Sequence, residues 1–181
     1  MDFRKKASLI LLEDGVTPTI NLENYLEFSD TLVETGTCLG QGVERALDAG
    51  YTNIRSVEMV EQRFIFCQNK FIDNDKVKLW LGDSRDNLFD MISDKPCVIL
   101  LDAHPSGRGS AGHDDLIKNG NNSIFHQERI LTDEIKIILK SPHKHLLILD
   151  DTNVIDPIYT SLLSGYRFEI IGNKFLECIP Q

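Results

Sequence analysis

The sequence predicts an α/β protein: one mostly parallel sheet with helices on both faces, closed at one edge by an antiparallel hairpin. Three observations carry this. Short apolar runs of strand length alternate with longer segments of helical period. Four of the runs stop at a carboxylate, at Glu34, Glu58, Asp102 and Asp150. The last two runs flank Gly172-Asn173, a hairpin signal.

Taken in order, Ser29 to Glu34 reads as the first strand. Gly40 to Ala49 reads as a helix with Val43, Ala46 and Leu47 on one face, stopped by Gly50. Ile54 to Glu58 is the second strand and Gln62 to Phe71 the second helix. Lys76 to Leu81 is the third strand, with Gly82-Asp83-Ser84 after it, and Asp86 to Ile92 a short helix. Pro96 to Asp102 is the most apolar strand and is expected at the sheet centre. A polar stretch runs from Ala103 to Asn122, and Ser123 then caps a long helix reaching about Lys140. Lys144 to Asp150 is the fifth strand and Ile155 to Leu163 a helix. Tyr166 to Ile171 and Lys174 to Ile179 are the hairpin strands. Tyr51, Trp80, Phe64, Phe66 and Phe71 read as core or sheet-edge packing rather than stacking platforms.

The chain has 181 residues, 41% hydrophobic and 26% charged, which fits one globular domain over residues 1–181. Its 19 basic and 28 acidic side chains give a net charge of −9. That balance argues against a nonspecific nucleic-acid binder, which needs a basic stripe to displace counterions. The one small basic cluster, Arg4-Lys5-Lys6, reads as a solvated terminus. No apolar run approaches the roughly 18–20 residues of a membrane span. The start resembles a signal peptide only faintly, since its apolar stretch ends at Glu13-Asp14-Gly15. Cys38, Cys67, Cys97 and Cys178 form no CxxC pair and read as reduced, mostly core-filling thiols of a cytoplasmic protein.

In open α/β sheets, ligands sit beyond the carboxyl ends of the strands, so the strand ends are where function is sought. The first strand-to-helix turn, Glu34-Thr35-Gly36-Thr37-Cys38-Leu39-Gly40-Gln41-Gly42, carries three glycines. They permit positive φ and close approach of backbone to a ligand. The spacing is not G-x-G-x-x-G, and Glu34 would repel a pyrophosphate, so a cationic ligand suits the turn better. The same glycines also read as geometry for a tight turn. Glu58, followed by Met59, ends the second strand where a carboxylate can accept two ribose hydroxyls. Asp83, before Ser84, ends the third and faces the place of an adenine edge. Each alone also reads as a solvated strand end.

Leu32-Val33-Glu34-Thr35-Gly36-Thr37, Ser56-Val57-Glu58, Gly82-Asp83-Ser84 and Leu101-Asp102-Ala103-His104 together resemble the class I S-adenosylmethionine-dependent methyltransferases. The likeness is strongest to a bacterial and phage group with an E-T-G-T turn and a D-A-H motif, and it covers about residue 30 to the end. The resemblance implies a Rossmann-like seven-stranded sheet with S-adenosylmethionine over the first two strands. It implies that Glu34 and Gly36 lie near the methionine part, Glu58 takes the ribose and Asp83 lies by the adenine, with Thr35, Thr37, Gly40, Met59, Ser84 and Asp102 also among the cofactor-binding residues. Cys38 stands where the family's turn carries its second glycine.

Asp102-Ala103-His104 and Asp150-Asp151-Thr152-Asn153 end the fourth and fifth strands, which are neighbours about 5 Å apart in a parallel sheet. Carboxylates packed so closely repel unless a proton or cation is shared. The pattern is similar to metal-dependent O-methyltransferases of the catechol and macrocin types, and Asp102, Asp150 and Asp151 match their ligand positions. That likeness implies Mg²⁺ binding an acceptor hydroxyl and lowering its pKa. His104 is then the candidate general base, since its unperturbed pKa lies near about 6.5. Asp102 is the second catalytic candidate. Against this, Asp150 or Asp151 equally suits a helix cap and His104 an ordered loop. The glycine-rich segment from Pro105 to Asp115 reads either as a substrate lid, with Arg108 toward an anionic group and His113, Asp114 and Asp115 as added ligands, or as a solvated loop.

The expected activity is methyl transfer to an oxygen of a small molecule. Two other classes fit the architecture: a noncatalytic S-adenosylmethionine-binding partner subunit, and a nucleotide- or dinucleotide-binding enzyme. A partner subunit, in the simplest case a second copy in a homodimer, or the glycine-rich segment has to close the site.

Overall fold

The computed structural model describes residues 20–92, 94–103, 123–150, 152, 155–172 and 174–181, with the backbone alone for 123–128. A short 3₁₀ turn, Leu22–Tyr25, leads in; Asn21 caps it by accepting from the Glu23 amide. The strands are β1 (Thr31–Thr35), β2 (Asn53–Glu58), β3 (Val77–Leu81), β4 (Val98–Leu101), β5 (Leu146–Leu149), β6 (Tyr166–Ile171) and β7 (Phe175–Pro180). The helices are α1 (Gln41–Ala49), α2 (Glu61–Lys70), α3 (Ser84–Ile92), α4 (Ser123–Ile138) and α5 (Pro157–Leu162). No helix among the described residues is long and apolar enough to cross a membrane.

The seven strands form one sheet in the order β3-β2-β1-β4-β5-β7-β6. The first five pair in parallel, and β7 is antiparallel to both β5 and β6. β4, with all four residues buried, is the central strand that its unbroken apolar run predicts. Alternation along each strand feeds two cores. Leu32, Ile54, Val98, Leu100 and Ile148 join Val43 and Ala46 of α1, Cys67 of α2, and Leu22 and Tyr25 of the entry turn. Val33, Val57, Ile99, Leu101, Leu147 and Leu149 join Leu88 and Met91 of α3, Leu131, Ile135 and Ile138 of α4, and Tyr159 of α5.

Local chemistry sets the ends. Gly50 closes α1 at φ +100°, its amide reaching the carbonyls of Ala46 and Leu47. The helix after β5 is capped by Asp156, whose carboxylate accepts from the Ile158 amide, rather than by Asp150. Tyr51 is core, as expected, with its hydroxyl donating to the Leu22 carbonyl at 3.1 Å. Phe66 is not core: it is 51% exposed, under the Lys70 ammonium. The buried stripe of α2 runs through Cys67 to Phe71, and Phe66 lies one residue, about 100°, off it. At the amino ends of β4 and β5, His145 is buried, accepts the Cys97 amide on Nδ1 at 3.1 Å, and meets the Ser141 hydroxyl on Nε2 at 2.8 Å. Burial, reinforced by His143, lowers its pKa to about 4, so it is a neutral core histidine.

Ile99 is fully buried on the central strand, and Ile72 is 71% exposed. Ile99→Ala is expected to cost roughly 3–4 kcal/mol in urea denaturation and Ile72→Ala to stay within about 0.5 kcal/mol.

Candidate functional site

The strand order reverses between β1 and β4, so the crevice beyond their carboxyl ends is the topological switch point of the sheet. Leu32 and Leu100 face α1, and the two-residue period puts Glu34 and Asp102 on that same face. Leu101 pairs with Leu149, which sets Asp150 beside Asp102 in the next strand.

Glu34 is buried beneath the first turn of α1. Ser56 donates to its Oε2 at 2.8 Å, and the Thr37 hydroxyl lies 2.6 Å from that of Ser56. A Cβ at Gly42 would fall 1.6 Å from Glu34 Oε1, so the helix approaches the carboxyl only because residue 42 has no side chain. Burial raises the Glu34 pKa to about 7, with Ser56 and Arg45 pulling it down and Glu58 adding to the rise.

The turn above it is tight. Gly36 stands at φ +89°, and a Cβ there would fall 2.7 Å from the Asp102 carbonyl oxygen. The amides of Gly36 and Thr37 both donate to the Val57 carbonyl, and Gly40 is the helix N-cap residue. Cys38 is the one non-glycine residue at positive φ among the described residues, at +52°. It adopts the left-handed backbone a glycine would take, at a cost of about 1–2 kcal/mol. The departure from the family's glycine pattern is thus taken up in backbone strain, with the Cys38 side chain exposed.

Glu58 ties the turn to the next strand end. It is buried, with Oε2 accepting from the Cys38 amide and Oε1 from the Val60 amide, both at 2.8 Å. Met59, 59% exposed, and Leu81, 45% exposed, are apolar side chains beside it at the ends of β2 and β3. Asp83 faces Arg85: Oδ1 accepts from the Arg85 amide and Nε at 2.9 Å each, and Oδ2 from Nη2 at 2.5 Å. These bonds hold the Asp83 carboxyl below the usual range. Ser84, the first residue of α3, is buried.

Asp102 donates its amide to the Thr35 carbonyl and hydroxyl, both at 3.2 Å. Its carboxyl lies close enough to Asp150 to share a proton, and its pKa is raised, first by burial and then by Asp150 and Glu34. Lys174 stands beside the pair, with its ammonium 3.0 Å and 3.3 Å from Asp150 Oδ1 and Oδ2. Among the described residues, no group of three or more His, Cys, Asp or Glu side chains is arranged to hold a metal. His104, Asp151, Arg108, His113, Asp114 and Asp115 lie outside the described residues.

Lys174, half-buried, and Glu134, buried, escape the sequence reading. Lys174 reaches Asp150 because β7 runs antiparallel beside β5, which puts the start of β7 at the carboxyl end of β5. Glu134 of α4 is buried with its Oε1 lacking a hydrogen-bond partner, and burial raises its pKa to about 7 while the hydroxyls of Ser84 and Thr35 pull it back. Its signal was available: a carboxylate between Leu131, Ile135 and Ile138 sits on the apolar stripe of its helix.

The architecture recurs in solved structures. An O-methyltransferase from Bacillus cereus in complex with SAH shares 15% identity at a TM-score of 0.51, over 86% of this chain and 76% of that one. A Staphylococcus aureus protein provisionally named a caffeoyl-CoA O-methyltransferase shares 14% at 0.57, over 88% and 80%. An Escherichia coli protein provisionally named methyltransferase yhhF shares 10% at 0.53, over 88% and 84%. No protein-family model and no curated protein matches the sequence. The chain thus has the Rossmann-like fold of these methyltransferases.

Glu58→Ala leaves two loop amides without their acceptor and is expected to cost about 2–3 kcal/mol. Thermal unfolding should show it as a fall of roughly 5–10 °C. The pH dependence follows from the buried acids. Glu34, Glu134 and Glu177 each have a pKa raised to about 7, so each stabilises the fold while protonated and loses that contribution as pH rises through 7. His145 works oppositely, losing its contribution as pH falls from about 6.5 to 4. Three glutamates and Asp102 outweigh one histidine. The ligand-free chain is therefore expected to melt at a lower temperature at pH 8 than at pH 5.5, and Glu134→Gln to flatten that slope.

Proposed function

We propose that the chain is an S-adenosylmethionine-dependent methyltransferase that methylates an oxygen of a small molecule. One observation carries the reading: the Glu34–Gly42 turn and Glu58 are locked together at the switch point of a β3-β2-β1-β4-β5-β7-β6 sheet. The name of the B. cereus neighbour, an O-methyltransferase in complex with SAH, supports it. So does the charge of the crevice. A dinucleotide would place its pyrophosphate at the start of α1. Here the Glu34 carboxyl lies against Gly42 in that first turn, with Asp102 and Asp150 nearby, a setting that favours a cation over an anion.

When bound, S-adenosylmethionine supplies an electrophilic methyl on a sulfonium. Glu58 would hold the ribose hydroxyls through the second lone pair of each oxygen, the first being used by an amide. Met59 and Leu81 would cover the adenine, with Asp83 and Ser84 at its edge. Gly36 lets backbone come close beside Asp102. Thr35, Thr37 and Gly40 keep the turn in shape, and the buried Glu34 adds negative field under the sulfonium. As the acceptor oxygen bonds to the methyl and the carbon–sulfur bond breaks, the acceptor's proton passes to a carboxylate of the Asp102–Asp150 pair or to His104. The remaining work is alignment and exclusion of water. Mg²⁺ assistance through Asp102, Asp150 and Asp151 is not part of the proposal, because Lys174 already holds Asp150.

Calorimetric titration with S-adenosylhomocysteine tests this at a temperature where all variants are folded. Wild type is expected to bind in the micromolar range and Glu58→Ala at least about tenfold more weakly, a difference of about 1.4 kcal/mol. A wild-type chain that does not bind the thioether sinks the proposal.

A further inference from the structure

The β6–β7 hairpin brings a lysine to the carboxyl pair at the ends of β4 and β5. Leu149 pairs with Leu176 across the antiparallel β5–β7 ladder, so Phe175, the first residue of β7, falls level with Asp150 and Lys174 comes just beyond it. The Thr152 amide donates to the Lys174 carbonyl at 2.8 Å and fixes the backbone of Lys174 there. The side chain then reaches both Asp150 oxygens, at 3.0 and 3.3 Å, with its ammonium 4.9 Å from the centre of the Phe175 ring. The pair is largely enclosed: the Lys174 side chain is 23% exposed and that of Asp150 12%. Salt screens such a pair far less than a surface one.

We propose that Lys174 is the resident cation of this crevice, occupying the place beside Asp150 that a divalent ion would need, so that the carboxyl pair works without a metal. Two neighbouring carboxyls can be reconciled by a proton, an ammonium or a metal. The ammonium uses both oxygens of Asp150. Mg²⁺ would need an Asp150 oxygen at about 2.0–2.1 Å in a near-octahedral shell of oxygens, in the space beside the carboxylate where the ammonium stands. To enter, it would have either to displace the ammonium or to stand beside it as a like charge. The ring of Phe175 gives the ammonium a second favourable surface, which a hydrated ion would not use as well. The catalytic consequence, a metal-independent transfer, rests on the methyltransferase reading; the ion-binding consequence does not.

The test is a titration with MgCl₂ against KCl of equal ionic strength, read by calorimetry and thermal unfolding on wild type, Lys174→Met, Lys174→Arg and Asp150→Asn. Wild type and Lys174→Arg are expected to show no Mg²⁺-specific heat or shift. Lys174→Met is expected to lose stability and to recover part of it in Mg²⁺, with an apparent affinity at least about tenfold above wild type. Specific Mg²⁺ binding by wild type that Asp150→Asn abolishes overturns the inference, and this titration needs no lysine variant to fold. A Lys174→Met chain that folds and stays as silent to Mg²⁺ as wild type overturns it too. S-adenosylhomocysteine is titrated into the same wild-type sample. Binding of both the thioether and Mg²⁺ removes the lysine inference alone, whereas binding of neither removes the methyltransferase reading and leaves Lys174 as the resident cation.

Discussion

The carboxylate of Glu58 is the contact on which the site's shape depends. It accepts one amide from the turn after β1 and one from the turn after β2, and so fastens two loops that no strand pairing reaches. The β1 turn needs that fastening because Cys38 is held in a left-handed conformation that costs energy. A charge-assisted hydrogen bond to the Cys38 amide, roughly twice the strength of a neutral one, is the local compensation. From that turn follow the N-cap position at Gly40, the start of α1 and the seat of Gly42 against Glu34. One carboxylate thus sets the mouth of the crevice and, in the proposed function, remains available to a ligand.

A second constraint is electrostatic. Parallel topology gathers the ends of β1, β2, β4 and β5 at one edge, and this chain ends them in Glu34, Glu58, Asp102 and Asp150. Left ionised without partners, such a group would be untenable in a poorly hydrated crevice. The structure answers each acid differently. Glu58 takes backbone amides, Glu34 takes Ser56 and a raised pKa, Asp102 leans on Asp150, and Asp150 takes Lys174. The crevice is acidic yet nearly neutralised from within. That combination favours a single positive charge placed over it and disfavours a polyanion.

Much of this was legible in the sequence, for reasons that also mark where legibility stopped. The strands were readable because a buried parallel strand is an unbroken apolar run, and β4 was placed at the centre on that ground alone. The carboxylates were readable because polar residues that end such runs sit at the sheet's mouth. The entry turn Leu22–Tyr25 was not, since four residues carry no period, although Leu22 and Tyr25 are core. Phe66 was misplaced because three phenylalanines in one helix were counted together, whereas burial follows angle around the axis, and Phe66 lies about 100° off the stripe of Cys67 and Phe71. Lys174 was out of reach for a different reason. Its neighbour Asp150 is set by β7 inserting between β5 and β6, and a hairpin signal gives pairing of two strands without saying which of them meets the sheet.

That insertion also determines which loop reaches the site. Placing β7 against β5 brings the loop before β7 over the end of β5, so the loop's side chains decide what neutralises the carboxyl pair. In this chain the loop supplies Lys174 and the first residue of β7 the ring of Phe175, an ammonium with an aromatic face beside it. Fold alone does not fix the chemistry at the switch point. Here the decision is made by one residue in a hairpin, outside the strand-end motifs from which the site would ordinarily be read.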